Sequence, residues 1–251
     1  MTSKRPLQDK VAVVTGSTKG IGRAIAEALA RDGARVVVCS RSEADIAKTV
    51  AELKGQGLAA SGIRCDVSVS RDLETLLQHA VQTWGKLDIW VNNAGVSGGF
   101  RPLPALSESE IDRIIAINYT GLLKACRTVI PHFVKQGGGT LFNMSGKGGK
   151  GNASPMMATY ASTKSAVVSL TQSLAKENCQ HPVSIHIISP GMVRTDFYKT
   201  GRPEGQPKST EYVFKALGVP VEAVGKMVAR AAAQKPGKVT GKNYAAISGW
   251  R

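Results

Sequence analysis

The stretch Val11-Ala12-Val13-Val14-Thr15-Gly16-Ser17-Thr18-Lys19-Gly20-Ile21-Gly22 decides how the rest of the chain is read. A β-branched run suited to a buried strand passes directly into a turn bearing three glycines, and helical periodicity begins there and continues to Arg31. Glycines so placed permit a tight turn, let backbone approach a pyrophosphate, and allow helix to pack closely on strand. The first helical turn offers free N–H donors at the positive end of its dipole. The stretch therefore predicts an anion site formed by Gly16, Ser17, Thr18, Lys19, Gly20, Ile21 and Gly22. Its spacing is GxxxGxG, distinct from the better-known GxGxxG fingerprint, so its position after the first strand carries the argument more than the glycines alone.

Outward from that stretch the alternation repeats. Strand-like runs stand at Arg35 to Val38, Leu87 to Val91, Thr140 to Met144 and Val183 to Ile188, and helical patterns at Glu43 to Lys54, Arg71 to Thr83, Glu108 to Lys135 and Met156 to Lys176. Repeated βαβ units predict an α/β fold: one Rossmann-type domain over residues 1–251, a doubly wound parallel sheet of about seven strands with helices on both faces. Pro131 is expected to bend or terminate its helix. Met192 to Pro220 has no period, with a short helix expected near Glu211 to Ala216, and it follows a strand's C-terminal end, so it reads as a substrate lid.

Composition narrows the class. The chain has 251 residues, 42% hydrophobic and 20% charged, enough to bury a sizeable core. Net charge is 33 − 18 = +15, which favours anionic ligands. Aromatics are 5% and show no interleaving with basic residues, so no nucleic-acid partner is expected. No apolar stretch approaches the ~18 residues that span a bilayer, and no secretory leader is evident. The expectation is a soluble, cytoplasmic protein without a membrane partner; an organelle protein whose transit peptide has been removed reads the same. Cys39, Cys65, Cys126 and Cys179 lack CxxC pairing and the four histidines lack HExxH spacing, so neither disulfides nor a metal is expected.

The second strand ends in Val38-Cys39-Ser40-Arg41-Ser42, where a ribose bearing a free 2′-hydroxyl would meet an Asp or Glu. No carboxylate stands there. Ser40 and Arg41, with Lys19 from the glycine turn, suit a 2′-phosphate instead, which predicts NADP(H) over NAD(H).

Tyr160 and Lys164 stand four residues apart on one helical face, so a phenol and an ammonium point into one cleft. A phenol titrates near pH ~10 and is a poor acid or base at neutrality, but a neighbouring ammonium favours its phenolate. Tyr160 would give a proton to a carbonyl oxygen, or take one from an alcohol, as hydride passes to or from a nicotinamide. Ser145, just after a strand, would hydrogen-bond the substrate oxygen. Asn118, a polar residue within a long helix, would hold water linking Lys164 to solvent.

These motifs, in this order, resemble the short-chain dehydrogenases/reductases from Thr15 to Gly249: the TGxxxGIG turn, Asp66-Val67, Asn92-Asn93-Ala94-Gly95, Asn118, Ser145, Tyr160 with Lys164, Pro190-Gly191 with Thr195, and Thr240-Gly241. The resemblance implies that Asp66 and Val67 contact adenine, Asn93 supports the central strand beside Ala94 and Gly95, Lys164 also holds the nicotinamide ribose, and Val193 and Thr195 meet the carboxamide beside Pro190 and Gly191. It implies a small carbonyl or alcohol substrate, and a homodimer or homotetramer formed through Glu108 to Lys135 and Met156 to Lys176. Asp88 to Gly95, Gly99 to Leu103 and Phe142 to Met144 are similar to the chlorophyll(ide) b reductase branch, although Ser145 keeps the serine of ordinary reductases.

Departures remain. Ser145 and Tyr160 are farther apart than in most of the family, so Gly146 to Asn152 is an insertion. Its Lys147 and Lys150 read first as solvated cations and second as contacts for an acidic or bulky substrate. Ser248-Gly249-Trp250 replaces a common Gly-Gly ending. Gly95-Val96-Ser97-Gly98-Gly99 fits a hydrolase elbow, but Phe100 to Pro104 cannot supply the helix that must follow one. A non-catalytic NADP(H) sensor is the alternative to an enzyme; sugar or polyol oxidation is the alternative substrate class.

Overall fold

In β1 (Val11–Thr15) all five residues are buried, with Val11 and Val13 on one side of the sheet and Ala12 and Val14 on the other. Burial on both faces marks a central strand of a parallel sheet. The computed structural model describes residues 5–193 and 218–246. After β1 come α1 (Gly20–Arg31), β2 (Arg35–Ser40), α2 (Glu43–Gly55), β3 (Ala60–Arg64), α3 (Ser70–Trp84) and β4 (Ile89–Asn92). The second half holds α4 (Glu108–Ile115), α5 (Gly121–Gln136), β5 (Gly139–Met144), α6 (Ala158–Glu177), β6 (Val183–Ser189), α7 (Val221–Ala232) and β7 (Asn243–Ala245).

Among the described residues seven strands form one wholly parallel sheet in the order β3-β2-β1-β4-β5-β6-β7. Ile25 and Leu29 of α1, Leu53 of α2 and Val224 and Val228 of α7 pack on one face; Leu73 and Leu76 of α3, Val129 and Phe133 of α5 and Val167 of α6 pack on the other. This is the Rossmann-type doubly wound arrangement that the alternation predicts. Strand order reverses between β1 and β4, and ligands of such sheets bind outside the strand C-termini at that switch. No helix among the described residues is long and apolar enough to cross a membrane.

Two features depart from the periodicity. Where it predicts one helix from Glu108 to Lys135, residues Ala116–Thr120 form a π-helical turn between α4 and α5. The wider turn brings Asn118 toward the loop after β4, where its side chain bonds both the N–H and the carbonyl of Val96 at 2.8 Å. The second is Pro131, which does not terminate its helix: α5 runs on to Gln136 and stops at Gly137, whose φ of 88° suits a left-handed cap. Burial of Phe133 beyond the proline favours keeping that last turn helical. The helix expected near Glu211 to Ala216, and Ser248 to Trp250, lie outside the described residues.

His186 on β6 illustrates the cost of placing a base in this core. It is 2% exposed, in ring contact with Phe142 (tilted) and Tyr244 (edge-on), and its Nδ1 has no hydrogen-bond partner among the described residues. Burial, aided by the Lys242 ammonium, lowers its pKa to about 4 from 6.5. The unfolded chain therefore binds the proton first, and this contribution to stability is intact above about pH 6.5 and lost as pH falls toward 4. Denaturant melts of the wild type and His186→Phe should diverge over that window by up to about 3 kcal/mol, with the wild type the more acid-sensitive. Parallel pH profiles would contradict this account.

Candidate active site

The turn after β1 is held from across the switch point. Thr15 Oγ1 accepts the N–H groups of Asn93 and Ala94 at 3.0 Å and donates to the Val91 carbonyl, while Asn93 Nδ2 donates to the carbonyls of Thr15 at 2.8 Å and Gly16 at 3.2 Å. Gly16 has φ +63°, and a Cβ at Gly22 would lie 2.3 Å from the Gly16 oxygen and 2.4 Å from Asn93 Nδ2. Only glycine at position 22 therefore allows the first turn of α1 to approach the strand this closely.

The turn opens on a cavity of about 1360 Å³, above the ~300–1,000 Å³ of ordinary small-ligand pockets. Gly16, Thr18, Lys19, Gly20, Ile21 and Gly22 line one end. Ser17 stands apart from the others of the predicted set. It is fully buried beneath the turn, where its N–H donates to the Cys39 carbonyl and its Oγ accepts the Cys39 N–H, so it ties the turn to β2 and does not reach the cavity.

Ser40, Arg41, Asp66 and Val67 follow along the wall. Burial raises the Asp66 carboxyl, but the hydroxyl and N–H of Ser68, then Arg41 and Arg64, outweigh it and hold the group below its ordinary value. Asp66 is thus ionised, with Arg41 beside it at the end of β2.

Asn93, Ala94, Gly95, Ser145, Tyr160, Lys164, Pro190, Gly191 and Val193 line the remainder, and Thr195 lies outside the described residues. Helical spacing stacks Tyr160 and Lys164 on α6, with Lys164 Nζ 5.6 Å from the centre of the Tyr160 ring. Nζ donates to the Met144 carbonyl at 2.9 Å, and burial lowers its pKa to about 8. A Cβ at Gly146 would lie 2.4 Å from the Tyr160 hydroxyl, which places that oxygen beside the residue following Ser145. The phenol, the buried ammonium and the Ser145 hydroxyl are thus brought to one end of the cavity. Asn118 is brought near but not into it. Buried at 1% exposure, it stands behind Gly95, whose absent Cβ would lie 3.3 Å from Asn118 Oδ1 and 3.8 Å from Lys164 Nζ.

Several residues here escape motif reading. Trp90 Nε1 donates to Asn92, Asn92 to Asn143, and Asn143 to Thr171, a buried chain that fixes the ends of β4 and β5 under the site. Glu110, Arg113, Ile114 and Ile117 form an i, i+3, i+4, i+7 stripe on the cavity wall, a spacing visible in the sequence. Both insertion lysines are exposed, but Lys147 lines the cavity and Lys150 does not.

The cleft at the switch point, with a tyrosine–lysine helix on its wall, has the form of a dinucleotide-dependent oxidoreductase site. The sequence pattern of the short chain dehydrogenase family matches residues 10–205. The chain is 34% identical over 252 residues to Dehydrogenase/reductase SDR family member 4 of Bos taurus, covering 99% of this chain and 90% of that protein. It is 36% identical over 218 residues to Chlorophyll(ide) b reductase NOL of Arabidopsis thaliana, covering 84% of this chain and 62% of the relative. Among solved structures, an actinorhodin polyketide ketoreductase with NADPH superposes with TM-score 0.86 and 27% identity over 95% of both chains. A 3-ketoacyl-(acyl-carrier-protein) reductase from Brucella melitensis complexed with NADH gives TM-score 0.85 and 27% identity over 95% of this chain and 97% of that one. The chain belongs to the short-chain dehydrogenase family, a family of oxidoreductases, and is similar to its chlorophyll(ide) b reductases.

Proposed function

We propose that this protein is an NADP(H)-dependent reductase that interconverts a carbonyl and an alcohol, with Tyr160 as general acid/base. The observation that carries this is the buried Lys164 ammonium beneath the Tyr160 ring at one end of a cavity whose other end is a glycine turn and helix N-terminus. The residues present fit the dinucleotide: Gly22 lets the N-terminus of α1 pack tightly behind the glycine turn at one end of the cavity, and Ser40, Arg41 and Lys19 offer donors for a 2′-phosphate with no carboxylate at the end of β2. Bound there, the cofactor supplies or accepts the hydride. Tyr160 donates a proton to the carbonyl oxygen, Ser145 hydrogen-bonds that oxygen, and Lys164 favours the phenolate left behind. Asn118 holds the loop that carries Val96 through two bonds, and its Oδ1 and Lys164 Nζ both lie within 4 Å of the Cβ position at Gly95, which suits a relay between the lysine and solvent.

Relatives named chlorophyll(ide) b reductases make a formyl group one candidate substrate. Assembly into a dimer or tetramer through α5 and α6 belongs to the same reading, supported by the exposed Leu123 on α5. The test is a panel of carbonyls and alcohols read by nicotinamide absorbance with both cofactors. NADPH should be consumed with at least one carbonyl and favoured over NADH by about tenfold or more, the worth of one charge-assisted hydrogen bond. Purified protein that retains neither pyridine nucleotide would defeat the proposal.

A further inference from the structure

Among the described residues, the charged groups lining the substrate end of the cavity are Arg101, Glu110, Arg113, Lys147 and Lys164. Three are already engaged. Arg101 pairs with Glu110 and donates to the Gly98 carbonyl at 3.0 Å, and its bond holds the Glu110 carboxyl down to about 2, so that pair is neutral as a unit. Lys164 is buried on the Met144 carbonyl. Among the described residues, the side chains of Arg113 and Lys147 make no ion pair or hydrogen bond, yet both line the cavity.

Both are displayed from fixed backbone. Arg113 precedes Ile114, which is wedged so tightly that a Cβ at Gly98 would lie 2.3 Å from its Cδ1. Lys147 sits between Gly146, which is packed against the Tyr160 hydroxyl, and Gly148, whose carbonyl accepts the Ser165 hydroxyl and whose absent Cβ would fall 2.5 Å from the Ala161 methyl. Around them the walls are apolar: Ile114 and Ile117 line the same cavity, and Leu103 and Met156 at an adjoining small pocket are 50% and 43% exposed. Both side chains are solvent-exposed, and two cations with no partner among the described residues, set beside apolar surface, favour a ligand with an apolar body and an anionic end.

We propose that the substrate is a carboxylate-bearing carbonyl compound whose carboxylate binds between Arg113 of α4 and Lys147 of the β5–α6 loop. The proposal rests on the reductase reading of the cleft and adds the substrate class. It is tested with 4-carboxybenzaldehyde and its neutral methyl ester, methyl 4-formylbenzoate, as NADPH-dependent substrates of the full chain. The acid-to-ester ratio of kcat/KM should fall by about tenfold or more in the double variant Arg113→Gln/Lys147→Gln, the loss appearing in KM for the acid. Arg113→Lys/Lys147→Arg should restore most of it, which a merely structural role would not do.

Terephthalate, which needs no turnover, gives the second readout. It should raise the Tm of the cofactor-free wild type and not that of the double Gln variant. An unchanged ratio with both substrates turned over, or an equal Tm rise in both proteins, overturns the proposal and leaves the reductase reading standing. A Tm rise confined to the wild type with neither aldehyde reduced supports the carboxylate site and counts against the reductase reading instead.

Discussion

Tyr160→Phe is expected to lower kcat/KM for any carbonyl this protein reduces by about two to four decades. The substitution removes one oxygen from a side chain that is 7% exposed and leaves the ring to pack as before, so Tm should move little. On the proposed mechanism what is lost is the proton donor: hydride arriving at a carbonyl carbon would leave an alkoxide that water must then protonate. Two to four decades correspond to about 3–5 kcal/mol of transition-state stabilisation. Lys164→Gln is the companion. Burial already lowers the lysine to about 8, so its charge, present below that pH, supports the phenolate at neutrality and fades above it. Without that charge the basic limb of the reduction profile should move up toward the ordinary phenol value near ~10. A phenylalanine variant that turns over at the wild-type rate would remove Tyr160 from the mechanism.

The second large effect concerns the other end of the cavity. Arg41→Asp should lower the NADPH-to-NADH ratio of kcat/KM by about a hundredfold or more, since on the proposed reading it deletes a charge-assisted phosphate contact worth about 1.5–3 kcal/mol and sets a carboxylate against the phosphate. Asp66 sharpens the effect. It is ionised by its Ser68 hydrogen bonds and by Arg41 and Arg64, so removing Arg41 exposes the approaching phosphate to an existing negative charge as well as a new one. NADH, with a free 2′-hydroxyl, gains an acceptor. Titration of both cofactors into the variant, followed by nicotinamide fluorescence, separates binding from turnover. An unchanged ratio would show that the 2′-phosphate lies away from β2.

The parts of this molecule that were readable beforehand are those in which one residue's environment depends on its near neighbours. The β1–turn–α1 stretch is one, because glycine tolerance and strand burial are properties of a dozen consecutive residues. The Tyr160–Lys164 pair is another, since four-residue spacing puts two side chains on one helical face in any fold. The π-helical turn at Ala116–Thr120 was not readable. Its residues keep helical periodicity, and the partner that the irregular turn meets, the backbone N–H and carbonyl of Val96, lies twenty-two residues earlier. Ser17 shows the same limit. It belongs to the glycine turn by sequence, but the adjacent β2 backbone takes both of its polar groups.

Sequence by itself determined the strand–helix alternation and most of its elements, the parallel doubly wound sheet, the glycine cradle, and the tyrosine–lysine pair on one helical face, because periodicity, turn chemistry and helical spacing are local. Only the tertiary structure decided which of two insertion lysines lines the cavity, that Arg101 is neutralised by Glu110 while Arg113 has no partner among the described residues, that Asn118 stands behind Gly95, and that Pro131 leaves its helix running. Each of those depends on groups distant along the chain meeting in space, where burial and the partners already engaged decide which charge is left for a ligand.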